Sequence, residues 1–230
     1  MKNDAGKILF ETHLHTAEVS PCGTTPAAEI PAIYKKAGYG GIIVTDHYSD
    51  YSFSMIPHSS FAKKIDYYFR IADELRVHAE KIGMRVIFGS EITLNNELWQ
   101  DFLIYGEIEK PFRQTPYLYN LKQHALHRMC RENGLLMYQA HPFRQGCTLG
   151  NLTVLDGLEV YNGNNRDNNA YERSVALCDR YNLMRIAGGD FHSVPSQGRA
   201  GIYLPDTVRT GAQLTEALNT GQAALYIKGY

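Results

Sequence analysis

Short apolar runs alternate with longer segments of helical periodicity along this chain. Runs of strand length lie near residues 7–12, 41–45, 85–90, 101–105, 135–140, 157–161, 184–189, 201–204 and 224–228. Helical spacing of apolar residues occupies the segments near 26–37, 59–82, 118–133, 167–181 and 211–220. The 59–82 segment is the clearest, because Ser59 and Ser60 precede it as caps and Gly83 ends it. Strands that alternate with helices predict parallel βα units, closed into a barrel or wound as an open sheet.

Metal-ligating side chains follow several of these apolar runs. They are His13, His15, His47, Glu91, His141, Asp190 and His192. In a parallel barrel the carboxyl ends of the strands meet at one mouth, so these side chains are expected to converge there. Imidazoles and carboxylates are the usual ligands of zinc, manganese and iron. The pattern therefore predicts a metal site and indicates a hydrolase.

The spacing within two of these groups supports a shared ion. His13 and His15 are two positions apart on an extended segment, so both side chains lie on one face. Asp190 and His192 repeat this spacing near the end of the chain. A lone H-x-H pair is a weak signal, but its combination with the other ligand types is specific. Glu91 has two carboxylate oxygens and could bridge two ions.

Composition narrows the class of protein. The chain of 230 residues is 44% hydrophobic and 20% charged, as in ordinary globular proteins, and no linker or low-complexity tract divides it, so residues 1–230 are expected to form one domain. A formal net charge of −1 gives no electrostatic case for duplex nucleic acid. No apolar run is long enough for a membrane span, and residues 1–7 lack the apolar stretch of a signal peptide. Four cysteines without C-x-x-C spacing are typical of reduced thiols in a cytoplasmic protein.

Five motifs, in this order, resemble those of the PHP (polymerase and histidinol phosphatase) family. They are Thr12-His13-Leu14-His15-Thr16, Thr45-Asp46-His47, Gly89-Ser90-Glu91, Ala140-His141-Pro142 and Gly189-Asp190-Phe191-His192. The resemblance spans roughly residues 8–205. It implies an α/β fold, a distorted (β/α)7 TIM-like barrel, with two or three divalent metal ions (Zn, Mn or Fe). It also implies a metal-dependent phosphoesterase acting on a small phosphorylated substrate.

Carried over position by position, the resemblance implies three metal sites. His13, His15, Glu91 and Asp190 would hold the first ion, and Glu91 would bridge to a second ion bound by His141. A third ion would use His47 and His192.

The chain departs from the family pattern in two places. The family often places a His or Asp shortly after H-x-H as a ligand of the third ion. Glu18 is the expected substitute here, with Ser20 and Cys22 as alternatives. No histidine occurs in residues 102–107, where some members complete the second site, so that ligand is left open.

The expected mechanism follows from charge. Two neighbouring ions would hold a bridging water and lower its pKa, and the resulting hydroxide would attack phosphorus. The ions would also neutralise charge on the phosphoryl oxygens, with Arg144 and Arg199 as candidate partners of the remaining oxygens. The third ion, or His47 in its absence, would stabilise or protonate the leaving oxygen.

Some assignments have alternatives. An amidohydrolase-type barrel that cleaves a C–N bond also begins with H-x-H, and a non-catalytic, metal-stabilised module would keep the same ligands. Asp46 could orient an imidazole or a metal water, or could simply be a turn residue. Tyr48, Tyr51, Tyr105 and Tyr161 could line a pocket for an organic leaving group, or could serve ordinary packing.

Overall fold

A computed structural model describes residues 6–96, 98–164 and 170–229. Its strands are β1 (Lys7–Glu11), β2 (Gly41–Val44), β3 (His47–Tyr48), β4 (Arg85–Thr93), β5 (Asp101–Tyr105), β6 (Leu136–Gln139), β7 (Gly157–Asn162), β8 (Met184–Gly188), β9 (Ala200–Pro205) and β10 (Ala224–Ile227). Its helices are α1 (Ile30–Lys36), α2 (Asp50–Met55), α3 (Phe61–Glu80), α4 (Glu109–Gln114), α5 (Gln123–Glu132), α6 (Tyr171–Tyr181) and α7 (Gly211–Asn219). Short 3₁₀ turns occur at Leu118–Asn120 and Leu152–Val154.

The strands form one mixed sheet that curls into a nearly closed barrel. Their order is β10-β9-β1-β2-β4-β5-β6-β7-β8, with β3 paired separately to β4. At one end of the barrel the chain beyond β1 meets the chain beyond β8. There Leu14 and Phe191 form a parallel bridge, with hydrogen bonds His15 N to Phe191 O (3.1 Å) and Phe191 N to His13 O (3.1 Å). Seven strands, β1, β2 and β4–β8, thus surround this mouth, and the predicted distorted barrel is confirmed.

Each predicted strand corresponds to an observed one, but the prediction of parallel βα units throughout was wrong. β5 is antiparallel to both β4 and β6. Only residues 94–100 separate β4 from β5, which is too short for the crossover helix that a parallel neighbour needs. β3, α2 and α4 were not predicted, because each is too short to show a periodicity. The first residues of the predicted helix 167–181 lie outside the described part of the chain.

Alternation along the strands separates two cores. Ile42, Val86 and Phe102 face outward and pack with the buried side of α3 and its neighbours. Ile43, Ile87, Leu103 and similar residues face inward and form a second cluster with α7. The apolar interior therefore fills the barrel away from the mouth and leaves the mouth to polar side chains. No helix of the described residues combines the length and apolar character that crossing a bilayer requires.

Candidate metal centre

Five side chains from four parts of the sheet meet, almost fully buried, at the mouth of the barrel. His13 and His15 follow β1, Glu91 lies in β4, His141 follows β6 and Asp190 follows β8. None exposes more than 3% of its surface. Buried ionisable groups are costly unless they are paired or coordinate a cation, so their convergence needs a chemical reason.

A carboxylate oxygen of Glu91 and one of Asp190 each lie close to the Nε2 atoms of both His13 and His15. Nε2 of His13 lies 3.3 Å from Glu91 Oε2 and 3.5 Å from Asp190 Oδ1. Nε2 of His15 lies 3.3 Å from each of the same two oxygens. Ligand bonds of 2.0–2.2 Å in a tetrahedral site place neighbouring donor atoms about 3.4 Å apart. Both Nε2 atoms are buried and lack a hydrogen-bond partner. The donor set thus fits a transition-metal ion with bonds of ordinary length.

Glu91 directs its two oxygens to different groups. Oε1 lies 3.0 Å from His141 Nε2, whereas Oε2 faces His13, His15 and, at 3.0 Å, Nδ1 of His47. A carboxylate with this orientation can bridge two cations. The geometry therefore suits the bridging role that the sequence suggested for Glu91.

Carboxylates outside the ligand set orient both histidines of the H-x-H motif. His13 Nδ1 lies 2.9 Å from Glu159 Oε1. His15 Nδ1 lies 3.2 Å from Ser20 Oγ, which in turn donates to Asp46 Oδ1 at 2.7 Å. With each Nδ1–H donating, each Nε2 keeps its lone pair for a metal ion. Asp46 therefore acts on an imidazole through Ser20, and its other contacts fix the loop that begins at Thr16.

Glu159 belongs to the candidate site, although it was not among the residues predicted from the sequence. Its Oε2 also accepts from the backbone N–H of His141 (2.8 Å) and from Asn162 Nδ2 (2.8 Å). It lies on β7, and the available signal was a carboxylate at an inward position of a predicted buried strand. Such a residue costs desolvation unless it has partners, so it could have been flagged.

The backbone is strained at two of the metal-ligand candidates. His141 and Asp190 have φ values of 27° and 49°, in the left-handed region that non-glycine residues seldom adopt. Such conformations cost of order 1–3 kcal/mol and cluster at functional sites. Each residue lies two positions after the end of its strand, at the mouth of the barrel.

The pKa values of the clustered side chains are shifted in different directions. Burial alone would raise the pKa values of Glu91 and Asp190, but the charge of His13 and further contacts hold both well below their usual range. Burial lowers the pKa of His13, yet Asp190, Glu159 and Glu91 together raise it well above its usual value. Burial and the charge of His47 lower the pKa of His15 to about 3. A proton on His13 therefore offsets the carboxylates where a cation would otherwise do so.

Asp101 and Cys147 accompany His141 on the side away from His13. Asp101 Oδ2 lies 3.8 Å from His141 Nε2, and Cys147 Sγ lies 3.6 Å from His141 Nδ1. Asp101, His141 and Cys147 form one of the clusters that could hold an ion. The family resemblance placed the missing ligand of the second site in residues 102–107, which contain no histidine. Since β5 is reversed, its first residue lies at the mouth instead.

His47 and His192 both adjoin His15 but belong to different clusters. Their ring centroids lie 4.4 and 4.8 Å from that of His15, respectively. One cluster contains His15, Cys22 and His47, and the other contains His15, Asp190 and His192. Among the described residues no such cluster includes Glu18, whose two oxygens accept from the N–H of Ala27 at 3.1 Å. The structure therefore brings Cys22, not Glu18, to His47.

The two candidate arginines differ in position. Arg144 pairs with Asp190 Oδ2 through Nη2, which also lies 3.3 Å from Asn162 Oδ1. Arg199 is exposed and donates from Nη1 to the carbonyl of Gly163 at 2.9 Å. Arg144 thus reaches the centre, whereas Arg199 contacts the backbone of a neighbouring loop.

Comparison with solved structures shows which proteins share this fold. A two-domain protein from Bacteroides vulgatus that contains a predicted PHP-like metal-dependent phosphoesterase superposes with a TM-score of 0.69 at 21% identity, over 97% of this chain and 66% of that one. This chain therefore spans about two thirds of that protein. PsfC from Pseudomonas syringae gives 0.68 at 17% identity, over 97% of this chain and 93% of PsfC.

An amidohydrolase from Chromobacterium violaceum, with bound sulfate and no metal, is also similar in structure. It gives a TM-score of 0.55 at 12% identity, over 95% of this chain and 97% of that one. No protein-family model matches the sequence, and no curated protein matches it. At these identities the likeness shows a shared PHP-like fold, and the chemistry has to be argued from the side chains.

Proposed function

We propose that this protein is a metal-dependent hydrolase of phosphoesters. The observation that carries the proposal is the pair of buried, partnerless Nε2 atoms of His13 and His15, which face carboxylate oxygens at metal-site spacing. The PHP-like neighbour from Bacteroides vulgatus supports the same class of chemistry.

The residues at the mouth have distinct roles in this proposal. His13, His15, Glu91 and Asp190 would hold one divalent ion, and Glu91, His141 and Asp101 would hold a second. His47, Cys22 and His192 surround His15 as candidates for a third. Bound ions would supply Lewis-acid charge and an activated water. Glu159 and Ser20 would hold the imidazoles in the ligating tautomer.

Arg144 is the candidate for binding the phosphoryl group. Its guanidinium is about 30% exposed and lies against Asp190, so it presents positive charge at the edge of the centre. A guanidinium can donate two parallel hydrogen bonds to phosphoryl oxygens. Arg199 has a supporting role in the proposal, since its guanidinium contacts the loop at Gly163.

The test combines metal analysis with hydrolysis of p-nitrophenyl phosphate. We expect protein loaded with Mn²⁺ or Zn²⁺ to hydrolyse this ester and to lose activity on chelation. His13→Ala should lower the metal affinity of the first site and the activity by at least ~10-fold each, because it removes a ligand from that site. His124→Ala is the matched control, since His124 is an exposed histidine of α5. Metal binding without hydrolysis of any phosphoester in a panel would overturn the proposal.

The amidohydrolase neighbour makes C–N bond hydrolysis the second candidate. Such barrels usually place a metal-bridging lysine in mid-barrel, and here that position belongs to Glu91. Turnover of an amide or lactam in the absence of phosphoester turnover would favour this candidate.

A further inference from the structure

A cavity of about 600 Å³ opens directly beside the metal centre. His47, Cys22 and Asp101 form the wall that it shares with the centre, and Tyr51 and Trp99 belong to its outer part. Its volume lies within the range of ~300–1,000 Å³ that is usual for small-molecule sites. A group attached to a phosphoryl bound at the centre could extend into this space past His47 and Asp101.

Two large aromatic side chains that line this cavity are unusually exposed to solvent. Trp99 is 68% exposed and Tyr51 is 65% exposed, although tryptophan and tyrosine are commonly well buried. Trp99 has a φ of 46° and lies against Gly146, where a Cβ would sit 3.6 Å from its ring. A bulky residue at positive φ is a backbone outlier, and such outliers persist where the surroundings hold them. Tyr48 and Tyr105, by contrast, are buried in ordinary packing.

Among the Asp, Glu, Lys and Arg residues, the described part of the lining contains acidic ones only. The described residues that line the cavity include Asp50 and Asp101 and no Lys or Arg. Asp101 is a candidate metal ligand, but Asp50 adds a carboxylate farther out. An anionic substituent that reaches Asp50, beyond the wall shared with the metal centre, would meet repulsion without a lysine or arginine to offset it. An aromatic face, by contrast, accepts a planar ring without regard to its hydrogen-bonding pattern.

From this lining we infer the substrate class: a phosphomonoester whose leaving group is a planar aromatic ring system without anionic charge, stacked on Trp99. The inference rests on the proposed function for the phosphoryl end. It disfavours bisphosphates and oligonucleotides, because each would place a second phosphate near Asp50, where no lysine or arginine of the described residues lines the cavity.

Phosphonates test the cavity without turnover, since their P–C bond is not hydrolysed. With Mn²⁺-loaded protein we expect phenylphosphonate to bind at least ~5-fold tighter than cyclohexylphosphonate by calorimetry, because only the planar ring stacks. We expect 4-carboxyphenylphosphonate to bind at least ~5-fold weaker than phenylphosphonate, because of Asp50. Trp99 is the single tryptophan of the chain, so fluorescence quenching by the phenyl compound would locate the ring.

Variants separate stacking from general effects. Trp99→Ala should bring the phenyl-to-cyclohexyl ratio to about one, whereas Trp99→Phe should keep most of it. Tyr181→Ala, which removes an exposed aromatic residue of α6, should leave the ratio unchanged. Equal affinities for the two phosphonates in the wild-type protein, or a ratio that persists in Trp99→Ala, would overturn the inference.

The same measurements distinguish failure of the proposed phosphoesterase function from failure of the aromatic subsite. A protein that hydrolyses phosphoesters but has no aryl preference keeps the proposed function and refutes the aromatic subsite. If no phosphonate binds, saturable quenching of Trp99 by benzyl alcohol but not by cyclohexylmethanol would still support the subsite. The absence of such quenching would refute it.

Discussion

The space left by two glycines determines whether the metal centre can form. A Cβ on Gly188 would lie 2.5 Å from His13 Cβ and 2.7 Å from Glu159 Oε1, and one on Gly189 would lie 2.4 Å from Glu11 Oε2. Glu11 is itself buried and accepts from the N–H groups of Thr12, His13 and Gly189. The chain beyond β8 thus approaches the H-x-H segment more closely than a side chain would permit.

Gly188→Ala is therefore expected to damage the centre selectively. The added methyl group must displace His13 or Glu159, which lowers metal affinity by at least ~10-fold and costs about 1–3 kcal/mol of stability. Metal titration by calorimetry and chemical denaturation measure the two effects.

The control for this change is Gly150→Ala. A Cβ on Gly150 would come within 3.0 Å of the end of the Gln123 side chain, in a half-buried loop. This variant should bind metal as the wild type does. Equal metal affinity of the Gly188→Ala protein would show that the close approach is not needed.

Among the secondary-structure elements, β5 matters most for the site. Its reversal places Asp101, at the start of the strand, beside His141 and Glu91, while Tyr105 at its other end is buried in the inner core. We predict that Asp101→Ala lowers the bound metal by about one ion per chain and leaves the first site filled, because it removes a ligand from the second site only. Elemental analysis after dialysis measures this stoichiometry.

Glu18→Gln is the matched carboxylate control for Asp101→Ala. The Glu18 carboxylate accepts from Ala27 N–H, and an amide oxygen can replace it there. We expect full metal content in this variant. Loss of metal from Glu18→Gln together with full metal in Asp101→Ala would restore the original expectation that Glu18 is a ligand.

The sequence identified the strands and most candidate ligands because both leave local signals. An apolar run followed by His or Asp needs no knowledge of distant partners, and His13, His141 and Asp190 were found in this way. The contact of Asp101 with His141 and the hydrogen bonds of Glu159 with His13 and His141 join residues that are far apart in the chain. Only the three-dimensional arrangement brings them together. The local pattern could therefore mark Glu159 as a buried carboxylate, but it could not assign a contact to either Asp101 or Glu159.

In the molecule as a whole, the metal centre links segments that follow β1, β6 and β8 with β4 itself. Within the described part of the chain, the sheet closes at the mouth through a short bridge between Leu14 and Phe191. A cation held by His13, His15, Glu91 and Asp190 would therefore join strands on both sides of this seam. An ion that binds only the folded state stabilises it by about 4 kcal/mol at 1,000 times its Kd.

This stabilisation should grow with pH. Burial lowers the pKa of His141, but the contacts with Cys147 and Glu91 outweigh burial and raise this pKa to about 10. In the metal-free protein that interaction contributes stability that is complete below the unfolded pKa of about 6.5 and is lost as the pH rises through 10. Metal binding needs the neutral imidazoles of His141 and His13, so proton competition also weakens as the pH rises. His15 is already neutral above about pH 3 and adds no slope.

We therefore expect the gain in Tm on adding Mn²⁺, relative to EDTA, to increase from about pH 6 to about pH 8.5, and to reach roughly 8–16 °C when the ion is near 1,000 times its Kd. Differential scanning calorimetry at matched ionic strength measures this gain. His141→Ala should flatten the slope, because the raised imidazole pKa is gone, whereas His124→Ala should retain it. A gain that is constant across this range, or that falls as the pH rises, would mean that the ion displaces no proton from these histidines and that the cluster at the mouth is not where it binds.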